Sequence, residues 1–113
     1  MMFQKTIYVR SPKLMQAYRK LACQNCGTND GSVSGAHSNQ AKHGKGKGIK
    51  ACDTRAASLC HTCHTALDQG SVMLRSERER FWTAAHAKTV RELVRLGLWP
   101  MDVPIPDIRT FDA

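Results

Sequence analysis

Four of the five cysteines of this chain fall into two Cys-x-x-Cys knuckles, Cys23-Gln-Asn-Cys26 and Cys60-His-Thr-Cys63. His37, Asp53, His64 and Asp68 lie between or just after them. A knuckle presents two thiolates from one tight turn, and two knuckles together supply the four soft, tetrahedral ligands that a structural zinc takes. The spacer between Cys26 and Cys60, residues 27–59, is 33 residues long. A simple zinc ribbon uses about 15–20, so this spacer must carry structure of its own.

A helix beginning near Cys63 would project His64 and Asp68, four residues apart, from one face, where a nitrogen and an oxygen can share a hard divalent cation. The same pair also reads as a helix-start histidine against the knuckle and an ordinary surface carboxylate. His37, at the end of a strand opposite that helix, is placed to take a proton from water, since an imidazole titrates near neutrality. Taken alone it reads more readily as a structural histidine.

Several elements must position these residues. Residues 3–9 are rich in β-branched and aromatic types and suit a short strand. Ser11-Pro12 fits an N-cap followed by proline at the first helical position, and Leu14, Met15, Tyr18, Leu21 and Ala22 recur at helical spacing, predicting a helix over 12–22. Residues 26–31 are turn formers; 32–37 and 54–59 read as the strands of a hairpin. Residues 64–69 suit a short helix ended by Gly70. Ser76 with Glu79 fits a capping box opening a helix over 76–96, stopped by Gly97. The arm over 97–113 holds Pro100, Pro104 and Pro106, which enforce an extended course along the domain or toward a partner. The expected fold is α+β, one domain over 1–113 with its core at 23–70, residues 3–22 before it and the long helix and arm behind. A chain of 113 residues gains usefully from a metal staple.

The net charge of +8 is uneven: residues 1–50 carry nine Lys/Arg against the single acid Asp30, and residues 51–113 carry eight of each sign. The excess points to a polyanionic partner, DNA above all. Residues 39–50 have no hydrophobic period and alternate lysine with glycine. That is either a solvated loop or one whose small residues admit a phosphate backbone while Lys42, Lys45, Lys47, Lys50 and, further on, Arg55 neutralise it. His43 reads as a solvated loop residue, Cys52 as a small buried one, and Phe81 and Trp82 as core. No stretch of 18 apolar residues is present to span a bilayer, and knuckle cysteines suit a reducing compartment, so a soluble cytoplasmic protein is expected.

Together, Cys-x-x-Cys, Ala36-His37, Asp53 and Leu59-Cys60-x-x-Cys63-His64 resemble the HNH, or ββα-metal, endonuclease superfamily, and within it the small phage and prophage nucleases of the YbcO type. The agreement runs from Cys23 to about Gly70. The resemblance implies a zinc-stapled ββα-metal domain that hydrolyses phosphodiester bonds in DNA. His37 would be the general base, and His64 would hold a catalytic Mg²⁺ or Mn²⁺. Asp53 stands at the family's middle Asn, orienting the base or supporting the metal, and Asp68 at the last metal ligand, often His in relatives. Two departures are visible: Ala36 where relatives often have Asp or a further His, and Asp53 in place of Asn. Without catalysis, the same residues describe a zinc-stapled nucleic-acid-binding module.

Overall fold

The computed structural model describes residues 9–40, 51–69 and 73–108. Within them the chain runs α1 (Pro12–Tyr18), β1 (Ser34–His37), β2 (Ala56–Leu59), α2 (His61–Gln69) and α3 (Arg75–Arg95), a small α+β arrangement. The strand expected over 3–9 lies outside the described residues except for Val9, which is irregular. Its carbonyl accepts the Asp53 N–H at 2.9 Å.

α1 begins as the sequence requires, with Ser11 Oγ accepting the Leu14 N–H at 3.1 Å and Pro12 at the first helical position. It stops at Tyr18 rather than 22. Arg19 and Lys20 donate to Gln16 and Ala17, three residues back, tightening the last turn. The chain must leave the helix here because Cys23 turns its N–H to the Thr28 carbonyl at 2.8 Å, closing the first knuckle.

The hairpin is antiparallel, pairing Ser34 with Leu59, Gly35 with Ser58, Ala36 with Ala57 and His37 with Ala56. Both strands are shorter than expected for local reasons. Ser32 gives its N–H to Asp30 Oδ1 at 2.9 Å in an Asx-turn, and Arg55 gives its own to the Cys52 carbonyl at 2.9 Å in a turn. Pairing cannot begin until those turns end. On the far side of β2, Thr89 Oγ1 accepts the Ser58 N–H at 3.0 Å, His86 Nδ1 meets the Ala56 carbonyl at 2.9 Å, and the Ser58 carbonyl takes the Gln24 N–H at 2.8 Å.

α2 starts at His61, immediately after Cys60, so Cys63 and His64 sit in its first turn. Its expected stop at Gly70 lies outside the described residues. α3 begins at Arg75, one residue before the expected Ser76. Glu77 Oε1 accepts the Leu74 N–H at 2.7 Å, while Glu79 pairs with Arg75 at 3.5 Å. An acid at the third helical position satisfies the first orphan N–H whatever residue precedes the helix, so Glu77 sets the register. At the other end Gly97, at φ +72°, forms a Schellman closure, with Leu98 donating to Leu93 at 2.8 Å and Gly97 to Val94 at 3.1 Å.

Two apolar clusters form around the hairpin. One joins Ala36, Ala57 and Leu59 to Leu67, Trp82 and the buried knuckle cysteines. The other joins Ala56 to Leu14, Tyr18, Val90 and Leu93, and is covered by Trp99 and Val103. The proline-rich arm therefore lies on the domain, pinned by Trp99 Nε1 donating to the Val103 carbonyl at 2.9 Å. Among the described residues, no helix is long and apolar enough to cross a membrane.

Candidate functional site

The hairpin and α1 bring the two knuckles together. Gly27, at φ +82°, turns the first knuckle and donates to the Cys23 carbonyl at 2.9 Å, while Cys60 directly follows β2 and Cys63 lies in the first turn of α2. The sulfurs of Cys23, Cys26, Cys60 and Cys63 all lie within 4.8 Å of one another, with Cys26 and Cys60 at 3.7 Å. Zn–S bonds of about 2.3 Å place the corners of a tetrahedron about 3.8 Å apart, so the four cysteines are positioned to hold a metal ion and their all-sulfur set suits structural zinc. Asn25 Nδ2 points at Cys63 Sγ at 3.3 Å, and the Cys26 N–H points at Cys23 Sγ at 3.5 Å. Such donors offset the negative charge that four thiolates collect.

The thiols are not equivalent. The Thr28 hydroxyl and N–H hold exposed Cys26 down at about 6, whereas burial pushes Cys63 up to about 12.

His37, the last residue of β1, meets Asp53 in the loop leading to β2, with Nε2 and Oδ1 2.8 Å apart. The carboxylate is 6% exposed and well supported. Its Oδ2 accepts the Ser11 N–H at 2.7 Å, and Arg10 Nη1 lies 3.9 Å from Oδ1. The carbonyl of the same residue accepts the Tyr18 hydroxyl at 2.5 Å. A carboxylate only accepts, so the hydrogen between the two side chains belongs to Nε2, and Nδ1 is left as the basic nitrogen. Asp53 thus contacts the histidine directly.

His64 and Asp68 do share a face of α2, with Nε2 and Oδ2 3.2 Å apart. Both are accessible, at 32% and 52% side-chain exposure. Among the described residues, the four cysteines are the only set of three or more His, Cys, Asp or Glu donors clustered closely enough for a metal, so no third residue of these types joins this pair. Adjacent ligands of an octahedral ion at about 2.1 Å stand about 3.0 Å apart, close to the separation seen.

Arg55 is half-buried and donates to the Asp107 carbonyl at 3.1 Å, which ties it to the C-terminal arm. Lys42, Lys45, Lys47, Lys50 and His43 lie outside the described residues. Cys52 stands apart from the metal cluster, half-buried, with its sulfur 3.4 Å from the Val9 N–H. Trp82 is buried, as expected, with its indole N–H on the Ala36 carbonyl at 2.8 Å.

Arg10, Ser11 and Tyr18 support the dyad without having been singled out for it. Ser11 was visible only as a helix cap, and nothing in the sequence connects position 53 to residues about forty places earlier.

Fold and site define a small α+β domain, with a two-stranded sheet and three helices among the described residues and a four-cysteine site able to hold a metal. Comparison with known proteins adds no relative: no family model, curated protein or solved structure matches this chain.

Proposed function

We propose that this protein is a metal-dependent endonuclease of the HNH type, acting on DNA and stapled by a structural zinc at the four cysteines. The observation that carries the reading is the 2.8 Å contact between His37 and Asp53 at the end of the hairpin. It gives the histidine an oriented ring and a basic Nδ1, as a water-activating base needs. The resemblance of the knuckles and the Cys63-His64 junction supports the same reading.

In the proposed reaction, Nδ1 of His37 takes a proton from a water whose oxygen attacks phosphorus, and the phosphodiester bond opposite the attack breaks. Asp53 holds the ring in one tautomer and stabilises the imidazolium. His64 and Asp68 would hold a Mg²⁺ or Mn²⁺, whose remaining ligands would be water and phosphate oxygens, the habit of these ions. When bound, that cation supplies charge stabilisation to the pentacoordinate phosphorus and the leaving oxygen. The basic first half of the chain supplies affinity for the backbone with little sequence information.

The test is nicking of supercoiled plasmid by zinc-loaded protein. Cleavage should require added Mg²⁺ or Mn²⁺, and His37→Ala should abolish it while zinc content and DNA binding persist. A second reading, a non-catalytic zinc-stapled nucleic-acid-binding module, draws on the same dyad: Asp53 also ties down Ser11 and Tyr18, as a purely structural bolt would. DNA binding with no cleavage in any divalent ion would establish that module instead.

A further inference from the structure

The face of the hairpin that carries His37 also carries α1. Gly35 faces Tyr18 and Met15, and His37, two residues on in the same strand, lies on that side too. Arg10 and Ser11 tie the start of the helix to the dyad. Ser11 gives its N–H to Asp53 Oδ2 at 2.7 Å, and Arg10 Nη1 stands 3.9 Å from the Oδ1 that His37 contacts at 2.8 Å. The Val9 and Ala51 carbonyls accept from that Nη1 at 3.1 and 2.9 Å, which fixes the guanidinium at the edge of the site.

Away from the hairpin, this segment carries only positive charge. Leu14, Ala17, Tyr18 and Leu21 take the buried side, leaving Lys13 and Gln16 of α1, and Arg19 and Lys20 of the tight turn that ends it, exposed on the other. No acid occurs over residues 9–22. Among the described residues, Lys13, Arg19 and Lys20 enter no ion pair. α3 differs: its exposed Arg80, Lys88 and Arg91 are interleaved with Glu77, Glu79 and Glu92, and two of its other arginines pair with Glu79 and Glu92. Unopposed cations repel one another, and a polyanion relieves that repulsion while releasing its own counterions.

The chemistry of the face selects the partner. The large hydrophobic residues exposed among the described ones, Leu74, Val94, Leu96, Met101 and Ile105, all belong to α3, its caps or the C-terminal arm. A membrane-surface helix or a protein interface needs apolar anchors of that kind, and the α1 face has none. A phosphate backbone needs only cations and hydrogen-bond donors. The step from Lys13 to Lys20 covers about 10 Å at about 1.5 Å per residue, the span of about three phosphates of one strand at about 3.4 Å of duplex axis each.

We infer that the exposed face of α1, with Lys13, Arg19 and Lys20 along it and Arg10 at its inner end, docks the DNA phosphate backbone and leads the strand to His37. The inference rests on the nucleic-acid part of the function proposed above and gives that site the path its substrate takes.

The experiment is fluorescence anisotropy with full-length, zinc-loaded protein and no added magnesium or manganese, using two labelled duplexes of unrelated sequence across a salt series. A triple variant, Lys13→Gln with Arg19→Gln and Lys20→Gln, changes exposed positions only. Each phosphate contact contributes about 0.9 to the slope of log affinity against log salt, so the slope should shrink by about 2.7. Between about 50 and 200 mM salt, wild type should therefore lose about 40-fold more affinity than the variant. Removing equal charge from α3, by Arg80→Gln, Lys88→Gln and Arg91→Gln together, should shrink the slope by less than about one. Both duplexes should respond alike, because phosphates carry no sequence information. An unchanged slope in the α1 variant, or equal losses in the two variants, would overturn the inference and leave the nucleic-acid reading standing. A loss confined to one duplex would assign α1 to base reading and overturn its role on the backbone. Absence of salt-sensitive binding by wild type to either duplex would overturn both.

Discussion

Replacing Asp53 by asparagine probes the dyad at constant shape. The amide oxygen can keep the Ser11 N–H now held at 2.7 Å, and its NH₂ then faces His37 Nε2 at the present 2.8 Å. To avoid opposing two donors, the imidazole must move its hydrogen to Nδ1, the nitrogen that the proposed reaction needs bare. A charge-assisted hydrogen bond becomes a neutral one, and the 3.9 Å approach of Arg10 loses its partner charge. Asp53 itself is buried, so its hydrogen bond to His37 is little screened, whereas Arg10, 42% exposed, is screened by solvent and contributes less. The loss should be about 1–2 kcal/mol of stability, or a melting temperature lowered by about 4–8 °C for each kcal/mol. Cleavage should fall by about 10²–10⁴-fold, the range attached to a misplaced general base. Nitrogen-15 NMR of the imidazole reports directly which nitrogen carries the hydrogen, in the wild type and in Asp53→Asn. An unchanged tautomer together with unchanged nicking would refute the assignment of Asp53 as the residue that positions His37.

Stripping the metal with a thiol-competent chelator should remove one zinc per chain by mass spectrometry of the metal and collapse the cooperative thermal transition. Acid should do the same, because the zinc-bound state carries fewer protons on its sulfurs than the released one, so its stability rises with pH. Gly35→Ala would place a Cβ 2.7 Å from Tyr18 Cδ2 and 3.1 Å from Met15 Cε, so it should cost about 1–3 kcal/mol in chemical denaturation. Burial first, and then the Asp53 charge, raise the Tyr18 phenol above its ordinary value of 10.0. The folded pKa exceeds the unfolded one, so this contribution to stability is intact below about pH 10 and is lost as pH rises beyond it. Tyr18→Phe should therefore be less stable at neutral pH by about 1 kcal/mol and show a shallower alkaline decline than wild type in pH-dependent melts.

What could be read in advance was whatever depends on neighbours in the chain. The knuckle spacing named the four sulfurs that the structure gathers. Ser11-Pro12 marked the start of α1, Gly97 the end of α3, and the four-residue step from His64 to Asp68 their common face. Long-range closure was out of reach. The early end of α1 follows from a hydrogen bond between Cys23 and Thr28, and the trimmed hairpin from side-chain and backbone turns at Asp30 and Cys52. The start of α3 depended on which of two glutamates would cap it, and Ser76 drew attention to the wrong one. Arg55, read as a phosphate contact, meets the carbonyl of Asp107, an arrangement no local pattern records.

The outer edge of β2 has a consequence for how this molecule behaves in a crowd. With Thr89, His86 and Gln24 occupying the backbone groups of Ser58 and Ala56, that margin offers no vacant ladder to an incoming peptide. An open β-edge is ordinarily an invitation to strand exchange, and Thr89 and His86 of α3 together with the Gln24 N–H close the β2 edge to it. Loosening α3, for instance by Thr89→Val, should therefore show itself as a concentration-dependent tendency to self-associate before any large fall in melting temperature.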